Sequence, residues 1–225
     1  MAVKFKRTDG VYSPNSSLTS EQVQQIRAEY DQGMRGKASA SNFDIHPVSY
    51  NRVGRREVYK NVPEEVNMVF AIDAGTYQSA YVRTDLNKIT SKGIVPNEML
   101  CAMLRHLSPS DSVALEMIAS YGMPVGKEVF ETCLWIGRFI EAYESTHDKK
   151  ACLIYRKDVK MELCGTMKAK DSNIRAALID IFPQTGGGKI PAIGTKAEQG
   201  ELYGMKSHMW SALAVAFCFD KQSSN

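Results

Sequence analysis

Five consecutive apolar residues, Met68-Val69-Phe70-Ala71-Ile72, run straight into Asp73-Ala74-Gly75-Thr76, and no other feature of this chain limits its fold as strongly. A strand on a half-wet sheet alternates apolar and polar residues, so an unbroken apolar run bounded by a turn signal reads as a strand covered on both faces. The chain must therefore place a layer on each side of a sheet. The spacing predicts two shorter strands next, Tyr77 to Arg83 and Lys88 to Val95, joined by the turn Thr84-Asp85-Leu86-Asn87. Pro96 opens a helix to about Leu107, Ser112 to Met117 is a second buried strand, and a long amphipathic helix runs from about Val125 to Tyr143. Ala151 to Tyr155 is a fifth strand. A helix from Ala169 to Phe182, a glycine-rich loop and a last helix from about Lys206 to Phe219 follow. The order β-β-β-α-β-α-β-α-α is that of an α/β mixed five-stranded sheet flanked by helices.

The segment ahead of this sheet has a different character. Residues 1–17 are polar and turn-rich and are expected to form a flexible arm. Thr19 or Ser20 can cap a helix that Gly33 stops, with Leu18, Val23, Ile26 and Tyr30 on one face. Lys37 to Phe43 and Pro47 to Val53 read as two further short helices. None is stable alone, so the three must pack through Val23, Ile26, Tyr30, Ala40, Phe43, Ile45, Tyr50 and Val53. The expected organisation is an arm over 1–17, a three-helix module over 18–62, an α/β domain over 66–220 and a tail over 221–225.

Charge is divided between these parts: residues 1–62 carry ten Lys or Arg against six Asp or Glu, and residues 63–225 carry eighteen against nineteen. A basic excess of that size is compatible with phosphate binding without requiring it. The five cysteines, Cys101, Cys133, Cys152, Cys164 and Cys218, lack metal-ligand spacing and are odd in number, so they read as buried free thiols. Lys4, Lys6, Arg7 and Asp9 leave no room for a signal peptide, and no run reaches membrane-spanning length. The expectation is a cytoplasmic protein with no membrane partner.

Two acids interrupt the buried strands: Asp73 closes the first, and Glu116 ends Val113-Ala114-Leu115-Glu116. A carboxylate in such a run loses hydration unless it is paired, hydrogen-bonded or metal-bound, so two of them at strand ends point to a shared cation. A helix cap or a nearby lysine explains either acid alone equally well. His208, near the start of the last helix, is a third candidate. Taken singly, a histidine there is more often a surface or satisfied core residue than a ligand.

Taken together, these residues acquire a family likeness. Phe70-Ala71-Ile72-Asp73-Ala74-Gly75-Thr76 resembles the first-strand motif of RuvC-type Holliday junction resolvases of the RNase H-like superfamily, and Val113 to Glu116 resembles their second acidic strand. His208-x-x-Ser211-Ala212-Leu213-Ala214 resembles their last helix, and Val159-Lys160 through Gly165 with Ala169-Lys170-Asp171 resembles their basic segment. Val129 to Phe139 and Asn173 to Leu178 look closest to phage-encoded members, which implies a bacterial host cytoplasm. The resemblance covers about residues 66 to 219 and keeps the family's motif order. It implies an RNase H-like fold and a metal-dependent endodeoxyribonuclease cutting branched DNA. Two Mg²⁺ ions, or Mn²⁺ as substitute, would sit on Asp73, Glu116 and His208, with Lys160 and Lys170 facing the DNA backbone and a homodimer as the working form. The family generally has an Asp where this chain has Ser211, which can act on a metal only through water.

The N-terminal module resembles compact helix-turn-helix units. Pro47 to Val53 would be the recognition helix, with Ser49, Asn51 and Arg52 facing the major groove and Arg55, Arg56 and Lys60 on phosphate. A protein-binding three-helix bundle would look much the same. Two other functions remain open for the α/β domain. One is a DNA-binding protein that has lost turnover, which Ser211 permits. The other is an actin-like phosphotransferase, because Asp73-Ala74-Gly75-Thr76 also resembles that superfamily's first phosphate loop, although such kinases need two lobes.

Overall fold

The computed structural model describes residues 7–8, 11–12, 18–35, 37–60, 68–120, 122 and 124–223. The chain divides into two compact units, Met1–Glu65 and Val66–Asn225. In the first unit, β1 (Arg7–Thr8) pairs antiparallel with β2 (Val11–Tyr12), so part of the expected arm is a minimal hairpin, while the rest of 1–17 lies outside the described residues.

Helix α1 (Ser20–Asp31) begins where the sequence places it. Thr19 Oγ1 accepts from the Gln22 amide at 3.2 Å and the Gln22 side chain accepts from the Thr19 amide at 2.9 Å, a reciprocal cap that satisfies two otherwise orphaned donors. Helix α2 (Lys37–Ser41) and helix α3 (Pro47–Gly54) follow, the latter with Pro47 in its first turn and His46 as its cap. Their core comprises Val23, Ile26, Tyr30, Ala40, Phe43, Tyr50, Val53 and Val58, with Leu18 and Ile45 packed against it. Only glycine fits at position 54, where a Cβ would lie 2.3 Å from the Tyr30 ring.

The second unit is built on β3 (Val69–Asp73), β4 (Gln78–Thr84), β5 (Ile89–Pro96), β6 (Ser112–Met117) and β7 (Cys152–Tyr155), in spatial order β5-β4-β3-β6-β7. The meander β3-β4-β5 is antiparallel, and β6 and β7 add in parallel on the other side of β3. This is the mixed five-stranded α/β sheet that the pattern predicts, in a single lobe, so the second lobe an actin-like kinase needs is missing among the described residues.

Side chains alternate between two cores, as the pleat requires. Phe70, Ile72, Val113 and Leu115 face α4 (Asn97–Arg105) and α5 (Lys127–Glu144), packing on Leu100, Leu104, Ile136, Phe139 and Tyr143. Val69, Ala71, Ala80, Val82, Ala114 and Ile154 face α8 (Met209–Ser223), whose Ala212 to Ala216 are wholly buried against them. Helix α7 (Asp171–Ile181) adds Ile174 and Leu178 to that core, and the glycine-rich loop adds Ala192 and Leu202.

The structure departs from the sequence pattern in four places. Helix α6 (Arg156–Cys164) occupies what reads as a basic loop; it buries only Val159, too little apolar surface to betray its period. The last helix starts at Met209 rather than Lys206 and continues to Ser223, taking in part of the expected tail. All five cysteines are free, but only Cys101 and Cys218 are buried, while Cys133, Cys152 and Cys164 are half-exposed because they lie on helix flanks and an edge strand. The long amphipathic helix α5, whose apolar residues Phe130, Leu134, Ile140 and Tyr143 suit one surface for the expected homodimer, does not present them together. Tyr143 is fully buried, donating its hydroxyl to Asp111 O at 2.8 Å, and Ile140 packs on the core, whereas Phe130 and Leu134 are exposed. Among the described residues no helix is long and apolar enough to cross a membrane.

Candidate active site

The register of the two parallel central strands sets the site. Ile72 lies beside Leu115, so the next pair along is Asp73 and Glu116. Both share the parity of Ala71 and Ala114 and therefore belong to the α8 side of the sheet. Their side chains keep only 14% and 16% of their exposure, which is why neither behaves as a surface acid.

The turn that follows Asp73 is pinned by a buried polar network. Ser79, on β4, accepts from the Gly75 amide at 3.1 Å and donates to Asn97 Oδ1 at 2.7 Å, while Asn97 Nδ2 donates to Gly75 O at 2.9 Å. Ser79 and Asn97 are 1% and 0% exposed, so the bond between them forms away from water, and their two part-buried bonds to Gly75 fix the loop. A Cβ at position 75 would stand 2.4 Å from Gln78 O, which requires glycine there.

The α8 side supplies the third candidate. His208 precedes α8, in a turn where Ser207 adopts φ 46°, a left-handed conformation unusual for serine. His208 Nδ1 lies 2.9 Å from Asp73 Oδ2, and Ser211, in the first turn of α8, hydrogen-bonds to the same carboxylate. A fourth group comes from the end of β7. Arg156 opens α6 with Nη1 3.6 Å from Glu116 Oε1, and its Nη2 donates to Asp171 Oδ1 at the start of α7.

Burial dominates the electrostatics. It raises the Asp73 carboxyl above the usual carboxylate range, against the opposing pull of His208, Ser211 and Arg156. Glu116 is pushed up to about 7, first by burial and then by the neighbouring Asp73 charge, with Arg156 opposing. Two desolvated carboxylates side by side are deficient in positive charge, and hard oxygen donors in that state suit Mg²⁺ or Mn²⁺. The donor set thus fits a divalent cation. Among the described residues, however, no three His, Cys, Asp or Glu side chains gather into a cation cluster; His208 is engaged with Asp73, and Arg156 stands beside Glu116.

Two clefts flank His208. One, of about 640 Å³, is lined by Arg156, Arg175, Lys206, Trp210 and Ser211 among others, with the Arg175 guanidinium 4.6 Å from the centre of the Trp210 ring. The other, of about 610 Å³, contains Asp73, Thr76 and Tyr77. Tyr77 is 82% exposed at the tip of the pinned turn. Lys160 and Lys170 line neither cleft: Lys160 is half-buried on α6, and Lys170 is exposed ahead of α7. Arg156, Arg175 and Lys206 are the basic residues beside the site. Arg156 directly follows β7 and so reaches the same sheet edge as Asp73 and Glu116, where α/β sheets bind ligands, a placement that only the strand order reveals.

In the first unit, the residues expected to read DNA are largely engaged internally. Arg56 is bidentate on Asp31 at 3.2 and 2.8 Å, Arg52 lies 3.4 Å from Glu57, and Arg55 donates to the Tyr30 hydroxyl at 3.0 Å. Asn51 is half-buried, with its Oδ1 shielded from solvent and without a hydrogen-bond partner. Ser49 is half-buried and Lys60 exposed.

No protein-family model matches the chain, and neither does any curated protein. Solved structures do. A Thermus thermophilus RuvC in complex with a Holliday junction substrate superposes with TM-score 0.53 at 15% identity, over 70% of this chain and 94% of that one. A Thermus thermophilus RuvC structure gives TM-score 0.52 at 14% identity, over 70% and 95%. The second unit has the RuvC fold. At that identity the likeness is one of RNase H-like architecture, and RuvC lends the second unit a topology rather than an activity.

Proposed function

We propose that the second unit is a metal-dependent endodeoxyribonuclease acting on branched DNA of the Holliday-junction kind, and that the first unit is a helix-turn-helix module that adds DNA contacts. The observation that carries this reading is the pair Asp73 and Glu116, desolvated side by side at the C-terminal edge of a RuvC-fold sheet with His208 against Asp73. Asp73 and Glu116 hold the divalent cation, which when bound supplies Lewis acidity and lowers the pKa of water. His208 and Ser211 orient the Asp73 carboxylate. The product is a nick with a 5′ phosphate. Arg175 and Lys206, in the cleft beside the site, meet the DNA backbone together with Lys160, Lys170 and the exposed Lys60. The exposed pair Phe130 and Leu134 serves a homodimer.

The test is a labelled four-way junction incubated with the full chain and Mg²⁺ or Mn²⁺. Wild type is expected to nick it and Asp73→Asn to bind without cutting. A second reading, a RuvC-fold DNA-binding protein without turnover, draws on the lack of an assembled three-ligand cluster among the described residues. Tight junction binding with no cut in either metal would establish it instead.

A further inference from the structure

Three charged side chains meet at the strand ends: the carboxylates of Asp73 and Glu116 and the guanidinium of Arg156. His208 and Ser211 add polar atoms but no fixed negative charge. Asp171, on the far side of Arg156, is 84% exposed and screened by water. With both carboxylates ionised, as cation binding requires, the buried cluster carries a single net negative charge. Together with one phosphodiester, that balances one divalent cation and leaves a second without an anion to hold it. Arg156 also has donor capacity to spare. Its Nη1 is buried with no hydrogen-bond partner, standing 3.6 Å from Glu116 Oε1, outside hydrogen-bond reach. An unspent charged donor out of water is costly, and an anionic oxygen arriving in the adjoining cleft, which Arg156 lines, would relieve that cost.

We infer that Arg156 stands in for a second metal ion: its guanidinium binds a non-bridging oxygen of the phosphodiester held at a single divalent cation on Asp73 and Glu116. The inference rests on reading the second unit as a nuclease, but metal counting tests it separately. Arginine suits the task because its planar fork meets two phosphate oxygens at once, and it brings positive charge without requiring further carboxylates.

The experiment uses the full chain and Mn²⁺, counted by electron paramagnetic resonance, together with single-turnover cutting of a four-way junction. Wild type should bind one Mn²⁺ per chain, and cutting should rise with the first power of Mn²⁺ concentration. Arg156→Met should bind Mn²⁺ about tenfold more tightly, since it removes a repelling unit charge at short range. Its cutting at saturating Mn²⁺ should fall on the order of a hundredfold, as when one charge-stabilising donor is lost. Arg156→Lys, which keeps the charge and guards against misfolding of the Met variant, should retain wild-type Mn²⁺ affinity and recover part of the rate. Two Mn²⁺ ions of similar affinity in wild type, or an Arg156→Met variant with unchanged Mn²⁺ affinity or an unchanged rate, would overturn the inference. If wild type cuts no junction, the nuclease reading fails, and the Mn²⁺ count and its response to Arg156→Met still decide the charge assignment.

Discussion

Glu116→Gln should make the metal-free protein more stable, and more so at alkaline than at acid pH. The Glu116 carboxyl moves from an ordinary 4.5 to about 7 on folding. A folded-state value above the unfolded one means that the folded protein holds the proton more tightly. The resulting stability is complete below pH 4.5 and is lost as pH rises through about 7. Full ionisation therefore costs about 3 kcal/mol, of which about 2 kcal/mol falls between about pH 5.5 and about pH 8. Asp73 is displaced in the same direction and adds to the slope. Glutamine keeps the shape and removes the charge, so the gain should be about 3 kcal/mol at about pH 8 and little more than about 1 kcal/mol at about pH 5.5. For a unit of this size that is a rise in Tm of about 6–12 °C at the higher pH. Urea unfolding in EDTA at both pH values measures it. A Glu116→Gln variant that is less stable than wild type, or equally altered at both pH values, would refute the reasoning. A stabilising substitution at a buried acid would also explain what the acid is for, since a chain keeps such a cost where function needs it.

Other substitutions test the scaffold around the site. Asn97→Ala removes the group that bridges Ser79 and Gly75 and should cost about 1–3 kcal/mol in urea unfolding, with junction cutting reduced because the turn after Asp73 loosens. Asp111→Ala leaves Arg83 without the carboxylate that it grips through two hydrogen bonds of 2.7 and 2.8 Å, and should destabilise the second unit by about 3–5 kcal/mol while leaving Mn²⁺ binding intact in the folded fraction. Thr19→Ala removes the α1 cap and should lower the stability of the first unit by about 1 kcal/mol, read by the loss of helical circular dichroism on heating. Lys60→Ala should lower junction affinity and flatten its dependence on salt, as loss of one phosphate contact does, and unchanged affinity would remove Lys60 from the interface.

The elements with a strong local signal were legible in the residues themselves. Thr19 or Ser20, Pro47 and the unbroken run to Ile72 each announce a helix start or a doubly covered strand, because caps and burial patterns are local. Asp73 and Glu116 stood out because an acid within an apolar run has to be explained. Helix α6 did not, since Arg156 to Cys164 is polar on most sides and its helicity comes from docking Val159. The role of Arg156 depends on which strand lies next to β6, and strand order is a property of the whole sheet. The arginines of the first unit show the converse dependence on the fold. A basic run looks available for phosphate until the fold brings Asp31 and Glu57 against it.

The most direct measurement is an anomalous difference map from crystals of the full chain soaked in Mn²⁺. One peak between the carboxylates of Asp73 and Glu116, absent in Asp73→Asn crystals, is the predicted result. Density elsewhere only, or no peak at saturating Mn²⁺ with Arg156 still against Glu116, would contradict a metal-dependent nuclease at this sheet edge.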